Sequence, residues 1–92
     1  MITTIVLIRC EPKQIPQCAQ KLAGIDGVSE VFSVSGTWDL VVIVRVPQYE
    51  DIARVVTEEF TQVPGIQRTE TLTAFRAYSR KDLEQAWDIG IE

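Results

Sequence analysis

Chemistry at a protein site needs groups that move protons, attack carbon or hold ions, and this sequence offers few. None of its 92 residues is histidine. A His–Cys zinc site, a Ser–His–Asp triad and a histidine general base are therefore excluded. Two cysteines, Cys10 and Cys18, form neither a CxxC pair nor a disulfide framework, and are expected as reduced thiols, one at a strand end and one on a helix face. The remaining candidates for acid–base work are Asp39, Glu70, Tyr49 and Tyr78. Asp39 closes the run Val34-Ser35-Gly36-Thr37-Trp38-Asp39, in which Gly36 and Thr37 suit a tight hairpin turn and Asp39 suits capping of turn amides. Thr69 and Thr71 lie on one side of an alternating stretch, where a solvated β-face is the plain reading. Arg68, Arg76 and Arg80 have the chemistry to bind anions, and equally the chemistry that discourages edge-to-edge strand pairing. Glu58 and Glu59 read as a solvent-facing helix pair.

Charge narrows the partners. Nine Lys and Arg against 13 Asp and Glu leave a net charge of −4, which argues against a nucleic-acid backbone or an anionic membrane as the main partner. A small ligand of either sign is still compatible. The opening Met1-Ile2-Thr3-Thr4-Ile5-Val6-Leu7-Ile8 has no basic start and meets Arg9 too soon for a signal peptide or a membrane span. A soluble, cytoplasmic protein without metal or cofactor is the expectation.

The elements that must position these residues follow from hydrophobic period. Ile2 to Ile8 is short and β-branched, a strand broken by Glu11-Pro12. Ile15, Cys18, Ala19 and Leu22 share one helical face between about Pro12 and Ala23, and Pro16 fits only if the helix effectively begins near Ile15. Asp26-Gly27 is a turn. Val28–Ser35 and Trp38–Val46 read as a hairpin about Gly36-Thr37, stopped by Pro47. Glu50 and Asp51 open a second helix whose apolar face is Ile52, Val55, Val56, Phe60 and Val63, with Arg54, Thr57, Glu58 and Glu59 toward water. Pro64-Gly65 ends it, and Ile66–Tyr78 alternates as a last strand. Matching helix-to-strand junctions, Leu22–Val28 and Phe60–Ile66, support two β-α-β halves.

The order β-α-β-β-α-β predicts an α+β, ferredoxin-like fold: a four-stranded antiparallel sheet with two helices on one face and the first and third strands central. Ile2, Val6 and Ile8 oppose Ile5 and Leu7; Leu40, Val42, Val44 and Val46 oppose Val41 and Ile43. Both central strands are thus apolar on both faces, while two helices cover only one. Dimerisation through the open face, giving a dimeric α+β barrel, is expected. Residues 1–78 form the domain. Residues 79–92 form a tail with Leu83, Ala86 and Trp87 at helical spacing, which reads either as a short helix laid on a neighbour or as a frayed end.

Gly36-Thr37-Trp38-Asp39 ahead of an apolar strand, followed by Pro64-Gly65-Ile66-Gln67-Arg68-Thr69-Glu70-Thr71, resembles the ligand-binding module of the Lrp/AsnC (feast/famine) transcriptional regulators. That family pairs a Gly-x-Tyr-Asp turn with a Pro-Gly-Val-x-x-Thr-x-Thr start to the last strand. The resemblance spans about residues 1–78. It departs in two ways. Trp38 stands for the usual Tyr, keeping an aromatic wall but losing a hydroxyl. The module begins at Met1, where family regulators carry a helix-turn-helix first, so direct DNA binding is not expected.

The resemblance implies a non-enzymatic module that binds an amino acid or related metabolite and acts in transcriptional regulation of amino-acid metabolism. It implies ligand contact by Gly36, Thr37, Trp38, Asp39, Thr69 and Thr71: Gly36 aiming backbone N–H groups at a carboxylate, Asp39 pairing an ammonium, Trp38 against a side chain or cation, and the threonines offering hydroxyls. It also implies a homodimer, an octameric ring of four dimers, and mixed assemblies with full-length Lrp/AsnC regulators. The same topology serves small cofactor-free dimeric barrel enzymes of monooxygenase or isomerase type, the competing reading. An RNA-binding ferredoxin-like domain would need aromatic and basic residues on the central strands, where this sequence has Ile and Val.

Overall fold

The computed structural model of the chain describes residues 1–80. The expected tail helix with Leu83, Ala86 and Trp87 lies outside the described residues. Strand β1 (Ile2–Cys10) leads through a tight turn, Pro12–Gln14, into α1 (Ile15–Ala23), so the helix proper starts at Ile15 and Pro16 sits in its first turn, where no N–H is missed. Then follow β2 (Val28–Ser33), β3 (Leu40–Val46), α2 (Tyr49–Ala53) and β4 (Ile66–Thr73). The sheet is antiparallel in the order β2-β3-β1-β4, the ferredoxin-like arrangement, with the first and third strands in the centre.

Beyond Ala53 the second helix departs from the expected regular helix. It widens into a π-helical stretch, Arg54–Glu59, and then tightens through Phe60–Gln62. The Phe60 N–H bonds the Val55 carbonyl, a step of five rather than four. The wider turn rotates Phe60 back onto the face of Val55, and both are buried against the sheet with Val63. The Thr57 hydroxyl bonds the Ala53 carbonyl, and the Thr61 hydroxyl bonds the Thr57 and Glu58 carbonyls at 2.9 and 3.0 Å. These side-chain bonds occupy carbonyls along the disturbed ladder.

Alternation sorts the sheet into two faces. Thr4, Val6, Ile8 and Cys10 of β1 and Leu40, Val42, Val44 and Val46 of β3 are buried beneath the helices with Cys18 and Leu22. The opposite face carries Ile5, Leu7, Val41 and Ile43, only half-buried, flanked by Phe32 at 47% and Leu72 at 45% exposure. This is the two-faced apolar slab expected from sequence. The two junctions of the internal repeat also match: the Gly27 carbonyl accepts from Arg45 N–H at 2.9 Å and the Gly65 carbonyl from Glu11 N–H at 2.8 Å.

Three strand ends fall short of expectation. The β2–β3 ladder stops at the Ser33–Leu40 pair, so Val34, Ser35, Trp38 and Asp39 belong to the connection. β4 ends at Thr73 rather than Tyr78: among the described residues it pairs with β1 alone, and the register brings Thr73 opposite Thr4, two residues from the start of that strand. One further bond, Ala74 N–H to the Thr3 carbonyl at 3.1 Å, closes the ladder. No helix among the described residues is long and apolar enough to cross a membrane.

Candidate functional site

The connection 34–39 is built by two constraints. Gly36 takes φ +112°, a backbone region that L side chains rarely adopt, and nothing lies within 4 Å of where its Cβ would stand. The loop is therefore both turned by glycine and open to an approaching group. Asp39 then fastens it to the sheet. Its N–H donates to the Ile8 carbonyl at 2.9 Å, its carbonyl accepts from Val34 N–H at 3.0 Å, and its carboxylate Oδ2 accepts from Cys10 N–H at 2.9 Å. The amide that Asp39 caps is thus the end of β1, not the turn itself. Among the described residues Oδ1 has no partner, and the side chain is half-buried.

Trp38 is half-buried, and the Arg68 guanidinium stands 5.6 Å from its ring centroid. Arg68 pairs across the sheet with Arg9, so two cations lie at this end of the open face. The outcome is one carboxylate and one guanidinium flanking a glycine turn, which suits a small molecule with both signs of charge. One face of Trp38 is already taken by Arg68.

Thr69 and Thr71 are placed elsewhere. Alternation along β4 puts them on the face opposite Arg68 and Glu70, toward the second helix. Both are exposed. Thr69 lines a cleft of about 290 Å³ with Val56, Phe60, Thr61, Val63 and Ile66; Thr71 lines one of about 540 Å³ with Tyr49, Ile52, Ala53 and Val56. So Gly36, Thr37, Trp38 and Asp39 come together in one loop, and Thr69 and Thr71 do not join them within one copy. Sequence reasoning noted Arg68 as an anion binder or edge guard; its seat over Trp38 depends on the register of β4 against β1, which no local motif encodes.

Cys10 and Cys18 are free and buried, as expected. The Cys18 thiol donates to the Pro64 carbonyl at 3.1 Å. Burial, with Cys18 and the Asp39 charge adding to it, pushes the Cys10 thiol up to about 12 from 9.0, which keeps it protonated and unreactive. Among the described residues no three His, Cys, Asp or Glu side chains group to hold a metal ion.

Comparison with known proteins places this arrangement. The sequence profile of the Lrp/AsnC ligand binding domain matches residues 3–83. An uncharacterized HTH-type transcriptional regulator of Pyrococcus horikoshii is 36% identical over 76 residues, covering 79% of this chain and 51% of that protein. The chain thus spans about half the length of the curated relatives it matches. The crystal structure of TTHA0845 from Thermus thermophilus superposes with a TM-score of 0.82 at 44% identity, covering 87% of this chain and all (100%) of that one. A feast or famine regulatory protein from M. tuberculosis, solved with L-methionine, superposes at 0.71 over 88% of this chain and 55% of its own; at 22% identity that likeness is one of fold. The Gly36–Asp39 turn, the Pro64–Thr71 strand start, the strand order and these relatives converge: the chain belongs to the Lrp/AsnC ligand-binding-domain family.

Proposed function

We propose that this chain is a sensing module that binds an amino acid, or a metabolite with the same ammonium and carboxylate, at the Gly36–Asp39 loop, without turning it over. The observation that carries this reading is Asp39: a half-buried carboxylate held rigid by Cys10, Ile8 and Val34, with one oxygen left for an incoming donor. The carboxylate of the ligand meets the exposed backbone at Gly36 and the Arg68 guanidinium. The fold-mate solved with L-methionine supports the ligand class. Thr69 and Thr71 contribute hydroxyls only where a second copy carries its own β4 to this loop.

Two copies close open face on open face, covering Ile5, Leu7, Val41, Ile43, Phe32 and Leu72. Each 100 Å² of apolar surface covered contributes roughly 2.5 kcal/mol, against which the exposed Arg45–Glu30 pair at 3.6 Å counts for little. Four such dimers form the octamer, and mixed assembly with full-length family regulators carries the signal to transcription of amino-acid metabolism. These assemblies act in the cytoplasm.

Calorimetric titration with each proteinogenic amino acid tests the reading, with native mass spectrometry recording the assembly. One or more ligands should bind the native protein and bind at least about ten-fold more weakly to the Asp39→Asn variant, which keeps an acceptor for Cys10 N–H but loses the charge. A monomer at micromolar concentration would remove the dimer. Unaltered ligand binding by the variant would remove Asp39 from the site.

A further inference from the structure

Two guanidiniums stand side by side at the Asp39 end of the open face. Arg9 of β1 and Arg68 of β4 are register partners, a placement that brings Cα atoms to about 4.5–5.5 Å in an antiparallel pair. Like charges directly opposite destabilise a strand pair, and an anion shared between them removes that cost. Among the described residues no carboxylate fills this role. Both arginines are exposed, and the ion pair between Arg45 and Glu30 lies toward the other end of β3. Glu70, two positions beyond Arg68, is opposite Leu7 and makes no ion pair with either arginine. The Glu11 carboxylate accepts from the Gln67 side-chain amide at 3.5 Å. Arg68 at least rests over the Trp38 ring; the Arg9 side chain has no partner among the described residues.

We propose that the amino acid bound at the Gly36–Asp39 loop is a dicarboxylic one, of the aspartate or glutamate class, and that Arg9 receives its side-chain carboxylate. This rests on the reading given above, with the ammonium on Asp39 and the α-carboxylate on Gly36 and Arg68. Charge selects the class. Two guanidiniums and one carboxylate leave the site with an excess of one positive charge. A neutral amino acid brings one ammonium and one carboxylate, so the excess stays and Arg9 goes unanswered. A second carboxylate on the ligand closes the balance.

Position agrees with charge. Asp39 is fastened to the backbone on either side of Arg9: its N–H donates to the Ile8 carbonyl and its Oδ2 accepts from the Cys10 N–H, each at 2.9 Å. The Arg9 side chain therefore leaves β1 level with Asp39, on the face that Arg68 shares. A guanidinium meets a carboxylate through two parallel N–H···O bonds, so an arginine here favours a planar acid over its amide. A basic ligand side chain meets two cations instead. The chain as a whole carries −4, so an acidic ligand is drawn to this end by local charge alone.

Calorimetry on the full chain, with native mass spectrometry of the same samples, tests this. L-aspartate or L-glutamate should bind at least about ten-fold more tightly than its amide, L-asparagine or L-glutamine. Arg9→Gln should bring acid and amide to similar affinity, while Arg9→Lys, which keeps the charge, should keep most of the preference. The urea midpoint of Arg9→Gln should hold or rise, since a repulsion is removed. An amide or an apolar amino acid that binds as tightly as the acid overturns the dicarboxylic class and leaves the sensing reading standing. Absence of binding by every amino acid brings down the sensing reading, and this inference with it. An acid preference that survives Arg9→Gln overturns the role of Arg9. Loss of the dimer in that variant, with the preference intact, assigns the arginine to contacts between copies and overturns it as well.

Discussion

Gly36 and Gly65 share a residue type and a backbone region, φ +112° and +95°, yet their surroundings are opposite. Around Gly36 there is open space. Around Gly65 a Cβ would meet the Gln14 side chain and stand 3.0 Å from the Cys18 sulfur. One glycine shapes a loop that something else can approach; the other lets helix, strand and turn close on each other. A glycine that is open and a glycine that is crowded therefore require different experiments, one read by ligand and the other by stability.

The largest effect is expected at the crowded position. Gly65→Ala should cost about 2–3 kcal/mol in urea unfolding, combining left-handed strain with overpacking against Cys18. A loss below that of Gly36→Ala would break the contrast. Asp39→Asn, beside the open glycine, should weaken ligand binding by about 1.5–3 kcal/mol, the worth of a charged hydrogen bond, while stability falls by less than about 1 kcal/mol. Gly36→Ala should cost only about 1 kcal/mol of stability, from strain alone, and reduce ligand affinity more than it reduces the melting temperature.

The last expectation is a pH profile. Cys10 lies opposite Ile66 at the crowded junction, and its thiol is raised to about 12 from 9.0. The unfolded chain ionises this group first, so its contribution is whole below pH 9 and is lost as pH rises through 12. Urea midpoints measured across that window should fall, and fall less steeply in Cys10→Ala. An identical slope in both proteins would assign the alkaline loss to other groups.

Much of the frame is legible in the residues themselves. Pro16 permits a helix only from Ile15, and the helix begins there. Leu40, Val42, Val44 and Val46 alternate with Val41 and Ile43, and the two sets part to the two faces as the period of two requires. The widened turn at Arg54–Glu59 is another matter. Ile52, Val55, Val56, Phe60 and Val63 fit a regular helix nearly as well, and only the sheet beneath makes it worth adding a residue to bring Phe60 over Val55. Likewise Ile66–Tyr78 alternates past Thr73, but a strand without a neighbour to bond is not a strand, and past Thr73 β1 has only Thr3, which accepts from Ala74, and Ile2 left.

At the site, the Gly36–Asp39 loop is readable because turn chemistry is local. Thr69 and Thr71 look like members of the same site because their motif travels with that loop. Register sends them to the other face, and the same register sets Arg68 over Trp38.

The sequence by itself determined the order of elements, the two-faced apolar strands and the glycine turn, because propensity, period and backbone sterics act over a few residues. Tertiary structure alone decided which face each β4 residue shows, where that strand ends and which amide Asp39 holds, because hydrogen bonds between strands join residues that the chain keeps far apart.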